Sequence, residues 1–345
     1  MGSSVPIKIA IVILNWNGKK HLELFLPSVY EYSTPENATI FIADNGSEDD
    51  SVQFIKSKYP EIELIEFDKN YGFAGGYNKA LQLIDAQYFV ILNSDVEVSE
   101  NWLKAPLEVL EKEENTAAVA PKIIAYTNKE KFEHAGAAGG YIDKYGYPFC
   151  RGRIIDHTEK DNGQYDNEQS VFWATGAALF IKSDIFKENN GFDADFFAHM
   201  EEIDLCWRLK NQGYAIKYTP KSTVRHLGGG ALPKESPFKV YLNFRNNLSM
   251  LYKNLPKNKL FLTLLLRLFL DSFSAIVYLV SLKPKLFWAV IKAHFAFYSM
   301  LSILKSKRKN LQTHRIVEDH KEIYQKSIVF DYFLKKKKKF SQLKF

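Results

Sequence analysis

Cysteine is scarce in this chain, and two common glycine-rich nucleotide-binding signatures are missing. The 345 residues include only Cys150 and Cys206, too few for a disulfide framework or a cysteine zinc site. This content favours a reducing compartment. Neither GxGxxG nor GxxxxGK[ST] occurs, which argues against dinucleotide-dependent redox chemistry and P-loop chemistry.

The chain also lacks the pattern of a secretion signal. Residues 1–6 have no cationic start, and the apolar run at residues 7–14 is short and rich in β-branched side chains. We therefore expect the front of the chain in the cytoplasm. With 46% hydrophobic and 25% charged residues, the composition is that of an ordinary globular protein of about two domains.

The net charge of +6 is unevenly distributed. Residues 1–235 carry 24 basic and 35 acidic groups, whereas residues 236–345 carry 22 basic and 5 acidic groups. An acidic front and a basic, apolar-rich rear indicate two parts with different partners.

Short apolar runs alternate with helical patterns along the front part. This alternation predicts an α/β fold with a mostly parallel sheet and right-handed crossovers. The strands are predicted at residues 7–14, 39–43, 62–67, 88–92, 117–124, 172–181, 214–218 and 223–226. The helices are predicted at residues 19–32, 47–58, 74–84 and 201–212, the last one capped by Gly213.

The first four strands all end in polar or glycine-rich sequence. Ligands of such sheets bind beyond the carboxyl ends of the strands, so we expect the functional site there. The residues at these ends are Asn15 and Asn17, Asp44 and Asn45, residues 70–76, and residues 93–95.

Two of these segments suit a diphosphate with its cation. Asp95, after the strand at residues 88–92, could hold a divalent cation, because Mg²⁺ and Mn²⁺ prefer hard oxygen ligands; the alternative is a turn or helix-cap aspartate. The three glycines of residues 70–78 allow close approach to phosphate at a helix start, or form a flexible loop. His226, before three glycines, is a metal ligand or a structural histidine.

Two acidic segments each allow a functional and a structural interpretation. Asp44 could accept a hydrogen bond from a nucleobase imide, or form an Asx turn with the following residues. Glu201, Glu202 and Asp204 open a predicted helix. Closely spaced acids raise one another's pKa, which suits a general base, but acids also suit the first turn of any helix.

The order of these motifs is more specific than any single one. The segments ILNWNG, ADNGSEDDS, NYGFAGGYN, LNSDVEV, TGAALFIKSDIF, GFDADFFAHMEEIDLCWRL and HLGGG resemble family 2 inverting glycosyltransferases of the GT-A fold. The resemblance covers about residues 8–255 and is greatest to the rhamnosyltransferase-like branch, which extends lipid-linked cell-surface glycans. It implies a Rossmann-like mixed sheet flanked by helices.

The resemblance implies a role for each motif. It places Asp44 against uracil or thymine, and Asp95 with His226 on Mn²⁺ or Mg²⁺, where Asn93 replaces the first acid of the usual DXD motif. The nucleotide-sugar site would comprise Asn15, Asn17, Asp44, Asn45, Asn70, Gly75, Gly76, Asn78, Asn93 and Ser94.

The resemblance also implies a carboxylate base that removes the proton of an acceptor hydroxyl. The second acid of the family's Glu-Asp pair is Glu202 here, one methylene longer, which leaves the base open between Glu202, Glu201 and Asp204. Trp173, Gly176 and Ala177 would line the acceptor side.

The rear of the chain contains two long apolar segments, residues 260–282 and 286–304. The first is long enough to span a bilayer, but Arg267 and Asp271 would each cost roughly 2.5–3.5 kcal/mol at its centre. We therefore expect helices lying on a membrane surface, helped by the basic tail. Packing in a homodimer and a true membrane span are the alternatives.

These inferences predict a cytoplasmic enzyme, peripherally associated with the inner face of the cell membrane. Residues 1–235 would form the catalytic domain, with its nucleotide-sugar half up to about residue 100, and residues 236–345 a helical extension. We expect transfer from a UDP- or dTDP-sugar to a glycan or lipid-linked acceptor in cell-surface polysaccharide assembly, with no nucleic-acid partner. The alternatives are a sugar-phosphate nucleotidyltransferase and a non-catalytic nucleotide-sugar-binding protein.

Overall fold

The computed structural model describes residues 7–34, 38–228 and 236–345. Residues 1–6, where the sequence predicts no secretion signal, lie outside the described residues. Two glycines of the HLGGG motif lie outside them too. Residues 229–235, just before the expected domain boundary, lie outside them as well.

The strands and α-helices of the described residues are numbered here in chain order. The strands are β1 Ile7–Asn15, β2 Ala38–Asp44, β3 Glu63–Glu66, β4 Ala86–Asn93, β5 Val96–Glu97, β6 Thr116–Ala125, β7 Asn128–Phe132, β8 Gly140–Asp143, β9 Pro148–Cys150, β10 Arg153–Ile154, β11 His157–Thr158, β12 Gln169–Val171, β13 Ala178–Lys182, β14 Ala215–His226 and β15 Ile323–Tyr324. The helices are α1 Lys19–Ser33, α2 Ser51–Lys58, α3 Gly72–Leu83, α4 Lys104–Lys112, α5 Ser183–Glu188, α6 Glu201–Asn211, α7 Pro237–Asn254, α8 Lys257–Val280, α9 Pro284–Ser299, α10 Leu301–Thr313 and α11 Ile328–Phe333.

A mixed sheet forms the centre of the molecule, with the strand order β12-β14-β6-β13-β4-β1-β2-β3. Strand β1 pairs in parallel with β2 and β4, and β2 pairs in parallel with β3. Strand β13 is antiparallel to both β4 and β6, whereas β14 runs parallel to β6. The expected α/β fold, a mixed sheet flanked by helices, is therefore confirmed.

The apolar run of β1 is continuous because both faces of the sheet are covered. Ile9, Ile11 and Ile13 share one core cluster with Leu22 and other residues of α1. Ala10 and Val12 belong to a second cluster together with residues of α3. The alternation of side chains along the strand thus fixes which helix covers which face.

Two strand predictions differ from the structure. The strand expected at residues 172–181 is wrong in its first part, because β13 begins only at Ala178 and residues 172–177 connect it to β12, which ends at Val171. The two strands expected at residues 214–218 and 223–226 form the one strand β14, with an irregularity in its pairing between Thr219 and Thr223.

A second, smaller sheet has the order β11-β10-β9-β8-β15. Four of its strands come from residues 140–158, and the fifth, β15, comes from near the end of the chain and pairs in parallel with β8. The rings of Phe340 and Phe345 pack against Tyr141 of this sheet, at interplanar angles of 51° and 63°. The last residues of the chain therefore pack on the front part.

Helices α7 to α10 make up the helical rear. Helix α8 is long and apolar enough to cross a membrane by its length and composition. The second apolar segment, expected at residues 286–304, is two helices, because α9 and α10 are bent by 63° at Met300.

The two charges in the middle of α8 point towards the protein. Arg267 and Asp271 are buried and form an ion pair with 3.1 Å between Nη2 and Oδ1. Arg267 also donates to the Tyr145 carbonyl, and Asp271 accepts from the Tyr147 hydroxyl and lies 3.2 Å from Nε2 of His294. The opposite side of α8 is exposed and apolar, so this helix is polar inside and apolar outside.

Candidate functional site

The carboxyl ends of β1 and β2 meet at Asn15 and Asp44, which lie opposite each other in the register. Asn15 Nδ2 donates to Asp44 Oδ1 over 2.9 Å, and the Ser47 N–H donates to Asp44 Oδ2 over 2.9 Å. This turn explains why α2 begins at Ser51 rather than at residue 47. Each carboxylate oxygen accepts more than one hydrogen bond, so Asp44 keeps capacity for a ligand.

Asn17 and Gly18 cover this buried pair. The Asn17 N–H donates to Ser47 Oγ over 2.9 Å, and Asn17 Oδ1 accepts from the Glu48 N–H over 2.7 Å. A Cβ on Gly18 would lie 2.3 Å from Asn15 Oδ1, so a side chain does not fit there. Asn15 Oδ1 is buried and has no partner among the described residues, which leaves an acceptor for a ligand.

The amides of Asn45 and Asn70 hold the loop before α3. Asn45 Nδ2 donates to Asn70 Oδ1 over 3.0 Å, and Asn45 Oδ1 accepts from the Tyr71 N–H over 3.0 Å. Asn70 Oδ1 also accepts from the Gly72 N–H over 2.7 Å. Both amides have internal partners, and their contact with a nucleotide stays a prediction.

Gly75, Gly76 and Asn78 lie on α3 itself. A Cβ on Gly76 would come within 2.8 Å of Leu14, so the helix packs directly on β1; around Gly75 the nearest atom is 3.4 Å away. Asn78 Nδ2 donates to the Phe192 carbonyl over 2.7 Å, and its Oδ1 accepts from the Phe192 N–H over 2.9 Å. Asn78 thereby ties α3 to the segment that leads to α6.

Asp95 and His226 meet because β5, which follows Asp95, pairs with the end of β14. His226 Nε2 lies 3.1 Å from Asp95 Oδ1 and 3.4 Å from Asn93 Nδ2. Asp95 and His226 are buried, and Ser94 is half-buried in the same turn. The structure thus brings together the two residues predicted as metal ligands.

Glu133 lies on the other side of the His226 ring, with its Oε2 3.2 Å from Nδ1. Burial disfavours a charged imidazole, but the carboxylates of Asp95 and Glu133 on its two sides outweigh it and raise the pKa of His226 to about 10. Burial also opposes ionisation of Asp95, yet the bond to His226 lowers its pKa. A carboxylate on Nδ1 is the usual means of directing Nε2 of a histidine towards a metal.

The donors at this turn fit a cation that also binds a diphosphate. Within the described ranges, no three His, Cys, Asp or Glu side chains are grouped as a complete metal site. Mg²⁺ and Mn²⁺ usually keep water and phosphate oxygens among their ligands. One carboxylate and one imidazole, from Asp95 and His226, therefore suffice when the substrate supplies further oxygens.

Glu201 and Glu202 open α6 with carboxylates that the protein does not neutralise. Oε2 of each is buried and has no partner within the described chain. Burial raises the pKa of Glu202 to about 7, and burial together with the charge of Glu202 raises the pKa of Glu201 well above its ordinary value. A carboxyl group with a pKa near neutrality suits a general base.

The turn before these acids has an unusual backbone. Phe197, His199 and Met200 have φ angles of +64°, +70° and +73°. Residues other than glycine seldom adopt this left-handed region. Asn246 of α7 holds this turn, since its Nδ2 lies 2.8–2.9 Å from the carbonyls of Phe196, Ala198 and His199. The helical rear therefore supports the residues that present the acids.

Asp204 is placed differently from Glu201 and Glu202. It is fully buried, and its oxygens lie 2.9 Å from Arg208 Nε and 2.9 Å from Lys253 Nζ. Asn254 Nδ2 also donates to it over 2.8 Å. These contacts join α6 to α7, so Asp204 has a structural task.

Trp173, Gly176 and Ala177 lie in the segment between β12 and β13. The Ala177 carbonyl accepts from the Asn93 N–H over 3.1 Å. A Cβ on Gly176 would lie 3.0 Å from Phe73 of α3. Gly176 and Ala177 thus border the strand end that precedes Asp95, whereas Trp173 is buried against the second sheet; an acceptor contact stays a prediction for all three.

Comparison with known proteins identifies the family. Residues 10–184 match the family model described as Glycosyl transferase family 2, which is half of the chain. The chain belongs to glycosyl transferase family 2. The relatives of this glycosyltransferase include the N-acetylglucosaminyl-diphospho-decaprenol L-rhamnosyltransferase of Mycobacterium tuberculosis, 25% identical over 63% of this chain and 75% of that protein. The rhamnosyltransferase-like resemblance is thereby confirmed.

Two solved structures share the fold of this glycosyltransferase. GalNAc-T7 with UDP, GalNAc and Mn²⁺ has a TM-score of 0.58 at 16% identity, over 72% of this chain and about half (48%) of that one. The mannosyltransferase PcManGT from Pyrobaculum calidifontis, in complex with GDP-Man and Mn²⁺, has a TM-score of 0.52 at 14% identity, over 90% of this chain and 85% of that one.

Sequence reasoning missed two residues of this glycosyltransferase site, Glu133 and Asn246. Glu133 follows the short strand β7, and no local motif distinguishes it. Asn246 and Asn247 are buried although they lie in a helix with an apolar core-facing side. Adjacent amides on the buried side of a helix need partners. This signal could have indicated the clamp, by which we mean the contacts of Asn246 Nδ2 with the carbonyls of the turn before Glu201.

Proposed function

We propose that this family 2 glycosyltransferase moves a sugar from a UDP- or dTDP-sugar to a hydroxyl of a glycan or lipid-linked acceptor, with inversion at the anomeric carbon. The observation that carries the proposal is that Glu201 and Glu202 each have a buried Oε2 without a partner among the described residues. Their turn contacts α3, because the Phe197 carbonyl accepts from the Ala74 N–H over 3.1 Å. The candidate base therefore lies beside the helix that follows the nucleotide loop.

In the proposed reaction, Glu202 takes the proton of the acceptor hydroxyl. The acceptor oxygen forms a bond to the anomeric carbon while the bond from that carbon to the diphosphate breaks, and the nucleoside diphosphate leaves. We place the base at Glu202 rather than Asp204, because Asp204 is already paired with Arg208 and Lys253. Glu201 remains the second candidate.

The donor would lie along the carboxyl ends of β1, β2 and β4. Asp44 and Asn15 supply acceptors for the pyrimidine end, and the residues proposed to hold Mn²⁺ or Mg²⁺ are Asp95 and His226. The cation, when bound, neutralises charge on the departing diphosphate. The Mn²⁺ in both structural neighbours supports this assignment.

We also propose that the enzyme lies on the cytoplasmic face of the cell membrane and that its helical extension begins near residue 236. The exposed side of α8 is apolar, with Phe261, Phe273 and Val280 all about two-thirds exposed or more. The inward position of Arg267 and Asp271 removes the cost that charges would have in lipid. The relative that acts on a decaprenol-linked sugar supports a lipid-linked acceptor.

A donor panel tests the proposal. Purified full-length protein is incubated with Mn²⁺ or Mg²⁺ and a set of nucleotide sugars, and released nucleoside diphosphate is measured. We expect metal-dependent release from one pyrimidine donor and its loss in Asp95→Ala. Asp85→Ala is the matched control, because it replaces an exposed aspartate directly before β4, whereas Asp95 follows the other end of that strand. Pyrophosphate release from a nucleoside triphosphate and a sugar phosphate would instead assign a nucleotidyltransferase.

A further inference from the structure

A pocket with a volume of about 420 Å³ lies between α8 and α11. It is separate from the candidate active site. Leu266 and Phe269 of α8 and Phe330 of α11 contribute apolar walls. Lys144, from the turn after β8, and Lys326 and Lys335, on either side of α11, line the same space. The pocket thus combines an apolar wall with three cationic side chains.

Among the described residues that line this pocket there is one carboxylate, Asp331, and it is already neutralised. Asp331 is buried and accepts from the Tyr324 hydroxyl over 2.5 Å. Lys335 and Lys337 lie 3.3 Å and 3.0 Å from its oxygens. Asp331 is therefore the counter-ion of two of the five consecutive lysines at residues 335–339.

The two remaining lysines form no ion pair with another described residue. Lys144 Nζ lies 5.0 Å from the ring centroid of Tyr145. Lys326 Nζ donates to the Lys344 carbonyl over 3.1 Å and lies 5.8 Å from the ring centroid of Tyr324. Both side chains are exposed. The net charge of the pocket is therefore positive, and it is complementary to a phosphate group.

The apolar wall continues along the exposed side of α8. Phe269 is 65% exposed, and Phe273, one turn further along the helix, is 66% exposed. A ligand that fills the pocket and continues along this side needs an anionic head and an apolar tail. None of the residues that line the pocket belongs to the candidate transfer site, so the geometry does not favour the sugar acceptor as its occupant.

We propose that this pocket binds the phosphate headgroup of an anionic membrane phospholipid, whose acyl chains lie along the exposed side of α8. Lys144 and Lys326 contact the phosphate, and Lys335 adds charge at the rim. The inference rests on the membrane association proposed above and extends it from general surface attraction to a defined lipid site.

Native mass spectrometry of the full-length protein in a mild non-ionic detergent tests this site. With added phosphatidylglycerol we expect one retained lipid per chain, and with phosphatidylcholine at the same concentration none. Lys144→Gln/Lys326→Gln should weaken phosphatidylglycerol binding by about tenfold or more, since each lysine near an anionic lipid contributes about fivefold. Lys336→Gln/Lys338→Gln removes the same charge from the same basic tail outside the pocket and should retain the lipid.

Several results would overturn the proposal. Equal losses in the two double variants would show general charge attraction, and equal retention of phosphatidylcholine would remove the role of headgroup charge. Displacement by inorganic phosphate at a concentration equal to that of the lipid would assign the pocket to free phosphate. Retention of a polyprenyl diphosphate in place of phosphatidylglycerol would assign it to the acceptor lipid. Asp95→Ala should keep the lipid, so a failure here and a failure of sugar transfer are distinguishable.

Discussion

At the scale of single residues, two carboxylates in similar sequence positions have opposite environments. Asp204 is matched by Arg208, Lys253 and Asn254, whereas Glu202 has a buried oxygen without a partner. Neutralising contacts keep an acid ionised, and burial without them raises its pKa. The acid left unmatched is the one suited to take a proton near neutral pH.

The first residue-scale prediction concerns Glu202. A general base contributes about 10²–10⁴-fold, so Glu202→Gln should lower kcat by at least about 100-fold. The base acts only when ionised, and its pKa is raised to about 7. The kcat of the wild type should therefore rise with pH through about 7, and this rise should be missing in Glu202→Gln.

The matched control for this prediction is Glu48→Gln, which changes an exposed acid near the same sheet edge. Ionising a buried carboxyl whose pKa is raised costs folding stability above the unfolded pKa. The Tm of Glu202→Gln at pH 8 should therefore not fall below that of the wild type. A pH profile unchanged by the substitution would remove Glu202 from the role of base.

The second residue-scale prediction concerns Glu133, which acts through His226. Loss of a carboxylate behind a metal-binding histidine typically weakens metal binding 10–100-fold. We expect Glu133→Gln to weaken Mn²⁺ binding, measured by calorimetry in the presence of nucleoside diphosphate, within about this range. Glu130→Gln, an exposed acid on the preceding strand, should bind Mn²⁺ like the wild type. Unchanged affinity in Glu133→Gln would contradict the role of Glu133 in orienting the ring.

At the scale of elements, the strands β1, β2 and β4 could be predicted because each is a short apolar run bounded by polar or glycine residues. The late start of β13, at Ala178 rather than at residue 172, could not be predicted, because Phe172, Trp173 and Ala174 continue the apolar pattern of a strand. These side chains are buried outside the main sheet; Trp173 Nε1 donates to the Tyr141 carbonyl of the second sheet over 2.9 Å. An apolar run reports burial but does not report which sheet provides it.

Local sequence patterns predict only part of the candidate site as well. The strand ends that carry Asp44 and Asp95 follow from the parallel order of β1, β2 and β4. The clamp of Asn246 on the turn before Glu201 joins residues about 50 positions apart in the sequence. Contacts of this kind depend on the packing of α7, for which no local pattern exists.

The element-scale prediction tests this clamp. Asn246→Ala leaves carbonyls of a strained turn without their donor, and an unsatisfied buried group costs about 1–3 kcal/mol. We expect a lower Tm, together with a fall in kcat larger than any change in donor KM, because the turn presents the base. The control Asn243→Ala, one turn earlier on α7, should change neither. A variant that loses Tm but keeps kcat would show that the clamp serves stability alone.

At the scale of the whole molecule, α8 is polar towards the protein and apolar towards the outside. From the sequence, Arg267 and Asp271 would add a cost to placing this helix in a membrane. In the structure they form an ion pair with each other on the buried side of α8. Exposed apolar side chains on one side of a long helix, beside a basic tail, are typical of an interfacial membrane anchor.

The prediction at this scale concerns membrane binding. Phe261→Glu/Phe273→Glu should lower binding to phosphatidylglycerol vesicles by at least about tenfold, since burying one phenyl ring contributes roughly 1.5–3 kcal/mol. Leu83→Glu, an exposed apolar residue at the end of α3, is the control and should bind vesicles normally. Normal vesicle binding by the double variant, combined with loss of a dimer in light scattering, would instead make this side a subunit interface.

We expect the proposed site, at the carboxyl ends of β1, β2 and β4, to perform one direct displacement at an anomeric carbon with a carboxylate base. Proton NMR of the sugar first released from the active donor, with water as the acceptor, reports the number of displacements. The released sugar should have the anomeric configuration opposite to that of the donor, and Glu202→Gln should slow its appearance by at least about 100-fold. Release of the sugar with the donor's own configuration would instead show two successive displacements and rule out the proposed mechanism.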